Sequence, residues 1–286
     1  MLNFKISTFS MPSIILSIAG SDSSGGAGIQ ADIKTISALG GYAASVITAV
    51  TAQNTIGVQA VYPMPADVVR AQIVSVMDDL RPNSVKIGMI HDAETVHSIV
   101  KCLQKYHPAF VVYDPVMVST GGQPLMTEGT IRAIKEELFP LCTLITPNLH
   151  EAGLLCEQPI FDTDEMKQAA RELSYRFRTS VLIKGGHLQG ADMCDVLYER
   201  RSSDYVDTVP LSEWTIYSHT KIESRNLHGT GCTLSSAIAT FLADGHRLDE
   251  AVRRSKEYIS QAIARAKEMK IGQGNGPLWH YFPLSE

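Results

Sequence analysis

The sequence has no pair of cysteines spaced C-x-x-C and no cysteine–histidine spacing typical of zinc, and its five cysteines are odd in number. That argues against a disulfide scaffold and fits reduced thiols in a cytoplasmic protein. It has no basic cluster such as a run of five lysines or arginines, and its formal net charge is −5. A nucleic-acid or membrane-surface partner is therefore not expected, and a small-molecule role is. Its most apolar early stretch, SIILSIAG at 13–20, is too short to span a bilayer and is followed by no clear cleavage site. Gly-Lys-Ser and Gly-Lys-Thr occur nowhere, so there is no Walker A loop. No Asp or Glu lies between Asp32 and Asp67, so the glycine turn near the start lacks the ribose-binding acid of a dinucleotide fold.

What is present is a chain of 286 residues, 44% hydrophobic and 19% charged, long enough for one large core. Strand-length β-branched runs recur at 13–20, 43–51, 84–89, 110–114, 143–147 and 180–186. Helical spacing fills 27–39, 66–80, 92–105, 127–138, 149–156 and 163–178. This rhythm predicts an α/β fold with a mostly parallel sheet covered on both faces. Beyond residue 190, the segments 195–200, 205–210 and 214–222 read as antiparallel strands at one edge. An amphipathic helix starting near Cys232 and a second at 247–269 close the chain. No repeat or linker interrupts this, so residues 13–286 are expected to form one domain behind an extension at 1–12.

Two glycine-rich turns carry the chemistry. In GSDSSGGAGIQAD (20–32), the glycines permit close backbone approach, and Asp32, one turn into the helix, is expected either to face a docked ligand or to complement the helix dipole. In HGTGCTLSS (228–236), Gly229 and Gly231 let amides converge at a helix N-terminus, an arrangement suited to a phosphate-sized anion. Cys232 stands at that junction. A helix N-terminus lowers a thiol pKa to roughly 3.5–7.5, which would make it a usable base near neutrality. The alternative is a small buried hydrophobe.

These turns occur with D-P-V-M-V (114–118) and T-P-N-L-H-E (146–151), four separated motifs in order. Together they resemble the ribokinase-like small-molecule kinases, and among them the bacterial hydroxymethylpyrimidine/phosphomethylpyrimidine kinases of thiamine biosynthesis. The resemblance implies a three-layer α/β/α fold, a homodimer, and transfer of phosphate from ATP, with Mg²⁺, to a pyrimidine hydroxymethyl group and then to its monophosphate. It makes the amides of Gly229, Gly231 and Cys232 an anion hole around the γ-phosphate, with Thr230 in the same turn. Cys232 stands where most relatives carry aspartate and is implied to be the general base.

By the same resemblance, Asn148 and Glu151 organise Mg²⁺ and phosphate, and Asp114 assists through water. Asn148 and Glu151 also have the spacing of a capping box. Lys184 and Lys256 are implied to lie near the nucleotide. Gln53, Asp32 and the backbone at Ala27 would orient the pyrimidine ring between the apolar walls of Met89 and Val116, with residues 115–125 as a flap. Some pyridoxal-phosphorylating relatives carry an additional cysteine shortly after D-P-V-M-V, where this chain has Ser119 and Thr120. The alternatives are a pyridoxal or pyridoxine kinase on the same scaffold, a non-catalytic nucleotide or pyrimidine binder, and an NAD-dependent oxidoreductase.

Overall fold

Among the described residues, alternating side chains send apolar groups to both faces of a nine-stranded sheet. The computed structural model describes residues 11–117, 126–186, 192–200 and 214–282. The strands are β1 (Ile14–Asp22), β2 (Tyr42–Asn54), β3 (Gly57–Pro63), β4 (Ser84–Ile87), β5 (Phe110–Tyr113), β6 (Leu144–Ile145), β7 (Ser180–Lys184), β8 (Asp192–Tyr198) and β9 (Trp214–Thr220). Their order is β3-β2-β1-β4-β5-β6-β7-β8-β9. From β2 to β7 the pairing is parallel, and β3, β8 and β9 are added antiparallel at the edges.

The helices are α1 (Gly28–Ala38), α2 (Ala66–Asp79), α3 (Ala93–Tyr106), α4 (Glu128–Ala133), α5 (Leu149–Cys156), α6 (Thr163–Phe177), α7 (Thr230–Ala243) and α8 (Leu248–Ala266). Leu16, Val111, Ile145, Val181 and Val196 pack on one face with residues of α2 to α6. Ile15, Val112, Leu144, Leu182 and Leu197 pack on the other with α1, α7 and α8. The three layers follow from this period of two in the strands.

The structure differs from expectation in three places. Strand β3 was not predicted: its exposed edge position leaves little burial pattern to read, and Asn54 Oδ1 shapes the turn before it by accepting from the Ile56 amide at 2.9 Å. The predicted helix 127–138 is α helix only to Ala133 and continues as a wider π turn over Ile134–Leu138. Helix α7 is not amphipathic, because every residue from Thr233 to Leu242 is buried. Enclosed by the sheet, α1 and α8, it uses small alanine, serine and threonine side chains to pack closely. The predicted strand 205–210, most of the flap, Ser119 and Thr120, and residues 1–10 of the extension lie outside the described residues.

The order reverses between β1 and β4, and loops leaving the carboxyl ends of neighbouring strands part there to open a crevice. The motif residues gather along this edge: the first glycine turn after β1, Met89 after β4, Asp114 after β5, Asn148 after β6, and Lys184 at the end of β7.

Candidate active site

The first glycine turn is already filled from within. Asp22, the last residue of β1, accepts from the amides of Ser24 (2.8 Å), Gly26 (3.1 Å) and Ala27 (2.8 Å) and from the Ser24 hydroxyl (2.7 Å). Its Oδ2 also lies 2.8 Å from His228 Nε2. Burial works against this charge, but the bonds from His228, Ser24 and Ala27 hold the carboxyl well below the usual carboxylate range. The Ala27 amide is therefore committed to Asp22. The backbone amide expected to meet a substrate is thus engaged within the protein.

The second turn packs on the first. Gly229 has φ +89°, and a Cβ there would stand 1.9 Å from the carbonyl oxygen of Gly26. Gly229→Ala thus forces a left-handed backbone and a backbone collision together. We expect a loss of at least about 1–3 kcal/mol in urea unfolding and a larger fall in turnover than in nucleotide-independent folding signals. A variant with wild-type unfolding and turnover would show that the close approach is dispensable.

Thr230 gives its hydroxyl (2.6 Å) and its amide (3.2 Å) to the carbonyl of Leu227. The amides of Gly229, Gly231 and Cys232 have no acceptor among the described residues. These three N–H groups at the start of the 14-residue helix α7 form the positive end of a long dipole.

Facing them is a charged pair. Lys184 Nζ lies 2.6 Å from Asp114 Oδ1, which also accepts from the Thr146 hydroxyl at 3.0 Å. A Cβ on Gly231 would be 2.9 Å from Asp114 Oδ2 and 3.5 Å from Lys184 Nζ, so only glycine brings the helix start this close. Asn148 and Glu151 form a complete capping box on α5, with bonds of 2.8 and 2.9 Å. Burial raises the Glu151 carboxyl to about 7; Lys184 opposes this, Asp114 adds to it, and the amides of Asn148 and Met117 oppose it.

Asp32 is not where the sequence reading put it. It is fully buried, its two oxygens each 2.8 Å from Lys86 Nζ, with Ser17 Oγ at 2.5 Å and Ser236 Oγ at 2.8 Å. With every lone-pair direction engaged and no exposed surface, it has nothing to offer a ring. Its role is to hold Lys86 beneath the site.

Cys232 is half-buried. Burial pushes its thiol up to about 11; Lys86 opposes this, Asp32 and Asp114 add to it, and the Gly28 amide opposes it. The expectation of a lowered thiol is corrected: burial, which penalises the thiolate, outweighs the lowering by Lys86 and the Gly28 amide.

Gln53 is half-buried at the end of β2, its backbone bonded both ways to the Ser23 hydroxyl at 2.8 and 2.9 Å. Met89 and Val116 are partly exposed, and Met89 borders Gly20. Lys256 lies to one side, its Nζ 2.5 Å from Asp195 Oδ2, while Asp195 Oδ1 accepts from the Gly185 amide at 2.9 Å. Among the described residues no three metal-binding side chains form a cluster. Sequence reasoning missed Asp22, His228 and Lys86. An aspartate followed two residues later by serine was the local signal for the first, whereas the other two act across 206 and 54 positions.

A family model described as phosphomethylpyrimidine kinase matches residues 22–279. The hydroxymethylpyrimidine/phosphomethylpyrimidine kinase of Rhizobium meliloti is 47% identical over 95% of this chain and 98% of its own. Its counterpart from Escherichia coli is 42% identical over 93% and 96%. The crystal structure of phosphomethylpyrimidine kinase from Clostridium difficile has a TM-score of 0.75 at 43% identity, covering 88% of this chain and 99% of that one. An ADP complex of Bacillus subtilis pyridoxal kinase has a TM-score of 0.82 at 33% identity, covering 95% and 98%. The chain belongs to the phosphomethylpyrimidine kinase family.

Proposed function

We propose that this protein transfers the γ-phosphoryl group of ATP to the hydroxymethyl oxygen of 4-amino-5-hydroxymethyl-2-methylpyrimidine, and then phosphorylates the monophosphate to the diphosphate. The observation that carries this reading is the free amide turn of Gly229, Gly231 and Cys232 set against the Lys184–Asp114 pair. An anion hole facing a cation suits a transferring phosphoryl group, whose charge spreads over its oxygens in the transition state. ATP is supported by the ADP complex of the Bacillus subtilis relative and by an AMP-PCP complex of a Staphylococcus aureus pyridoxal kinase, 29% identical over 95% of this chain.

Catalysis by this chain is mostly positioning. Gln53 orients the ring, Met89 and Val116 flank it, and Cys232 faces the hydroxyl whose proton must leave. Lys184 and the turn amides receive the phosphoryl oxygens, with Thr230 and Asn148 shaping the turn and the helix start beside them. Asp114 and Glu151 fit Mg²⁺: they are hard oxygen donors, and a divalent cation would offset the burial and the Asp114 charge that raise the Glu151 carboxyl. When bound, the ion would neutralise the phosphate charge. Lys256 holds the end of β7 through Asp195 and borders the nucleotide side.

The five free cysteines fit a cytoplasmic protein. No helix among the described residues is long and apolar enough to cross a membrane. A homodimer is supported by the exposed Val50, Ile56, Val58 and Tyr62 on the β2–β3 hairpin.

The test is ATP consumption with hydroxymethylpyrimidine, its monophosphate, pyridoxal and pyridoxine. Preference for the two pyrimidines is expected. The fold is shared with pyridoxal kinases, so a large preference for pyridoxal would reassign the substrate.

A further inference from the structure

His228 stands between three functional groups. Its Nε2 lies 2.8 Å from Asp22 Oδ2 and 3.2 Å from the terminal amide of Gln53, and its own amide donates to Gly276 O at 3.1 Å, fixing the start of the anion turn. A Cβ on Gly26 would fall 2.3 Å from His228 Cδ2, so the imidazole is stacked directly on the first glycine turn. The histidine side chain is 10% exposed and that of Asp22 4%.

A count of protons decides how these groups are arranged. Asp22 already accepts from three amides and a hydroxyl, so it is a carboxylate, and its contact with Nε2 requires the imidazole to carry the proton there. A protonated Nε2 has no lone pair for the Gln53 amide nitrogen. At the other arm of the amide, Thr51 Oγ1 lies 3.2 Å away and gives its one proton to Ser21 O at 2.9 Å. The amide nitrogen stands toward the imidazole, where two N–H groups meet. Half a turn of the terminal amide keeps both distances and brings Oε1 to the imidazole, where the one Nε2 proton is shared between Asp22 Oδ2, the nearer acceptor, and Gln53 Oε1, while the NH₂ meets Thr51 Oγ1.

We propose that Asp22 and His228 are positioning residues that lock the Gln53 carboxamide with its oxygen on the His228 side, and so fix the order of acceptor and donor shown to the substrate ring. This rests on the pyrimidine reading above. A 4-aminopyrimidine presents a ring-nitrogen acceptor beside an amine donor. The corresponding 4-oxo ring presents an N–H donor beside a carbonyl acceptor, which is the reverse order. A locked amide matches one of them, and an amide free to turn serves both.

The test measures kcat/KM for 5-hydroxymethyl-2-methylpyrimidine carrying either the 4-amino or the 4-oxo group, in wild type, His228→Phe and Asp22→Asn. Phenylalanine keeps the ring packed on Gly26 and removes Nε2. In the wild type the amino substrate is favoured by at least tenfold. In both variants that ratio falls by about tenfold, chiefly because KM rises for the amino substrate. Equal losses for both substrates, or an unchanged ratio, would overturn the proposal, since a purely structural defect lowers both alike.

The ¹⁵N spectrum of ligand-free wild type tests the lock independently of substrate. A protonated His228 Nε2 is expected, and a bare one sinks the proposal. Turnover of neither pyrimidine alongside a protonated Nε2 would instead refute the substrate reading.

Discussion

Replacing Lys86 with methionine is expected to lower stability by about 3–5 kcal/mol, a large part of the roughly 5–15 kcal/mol that holds an ordinary domain folded. Neither Lys86 nor Asp32 has any exposed side-chain surface. Burial works against the charge on Lys86, and Asp32, with contributions from Cys232 and Asp114, more than offsets it, so the ammonium is held above its usual value. Removing it leaves a carboxylate with two serine hydroxyls for partners, which is the uncompensated buried charge that proteins tolerate least. The damage would spread, because Ser17 lies on β1, Lys86 on β4, Asp32 on α1 and Ser236 on α7. The same four elements form the floor of the crevice. Urea unfolding at neutral pH reads the effect, and combining Lys86→Met with Asp32→Leu should cost less than the sum of the single changes. A single variant within 1 kcal/mol of wild type would mean that water or a rearranged neighbour replaces the ammonium.

That pair also shows where the sequence stopped being informative. Periodicity located the parallel strands because both faces are buried, as in SVLIK of β7, where only the final lysine is partly exposed. It could not find β3, whose side chains are mostly open to solvent and carry no alternating pattern. The second glycine turn was legible because its amides and the helix that follows are local in sequence. Asp32 was misread for the opposite reason: a carboxylate one turn into a helix looks the same whether it faces a ligand or a lysine 54 positions away. Likewise the pKa of Cys232 depends on Lys86, Asp32 and Asp114, none of them its neighbour in the chain. Burial by the assembled fold is the largest influence on it, and local sequence does not show that burial.

Cys232→Ala should retain ATP and pyrimidine binding but lose about 10²–10⁴ in turnover, the typical cost of removing a positioned proton acceptor. The raised thiol adds a pH signature. With its pKa at about 11 in the free protein, the thiolate fraction near pH 7 is on the order of 10⁻⁴. A base must be deprotonated to act, so wild-type kcat/KM should climb as pH rises from 7 toward 10, whereas the residual activity of the alanine variant should lack that climb. Iodoacetamide labelling of the peptide containing Cys232 should follow the same slope in the ligand-free protein, slow at pH 7 and rising about tenfold per pH unit. Labelling that is already maximal at pH 7 would mean that the helix terminus governs the thiol after all. Turnover unchanged in Cys232→Ala would remove the residue from the chemistry and leave the proton to the transferring phosphoryl oxygens. A loose transition state makes that division testable, because the nucleophile needs little charge before the phosphoryl bond breaks and the proton leaves late. A loss of turnover in Cys232→Ala would instead make Cys232 the late acceptor, with Lys86 as the cation that favours its thiolate.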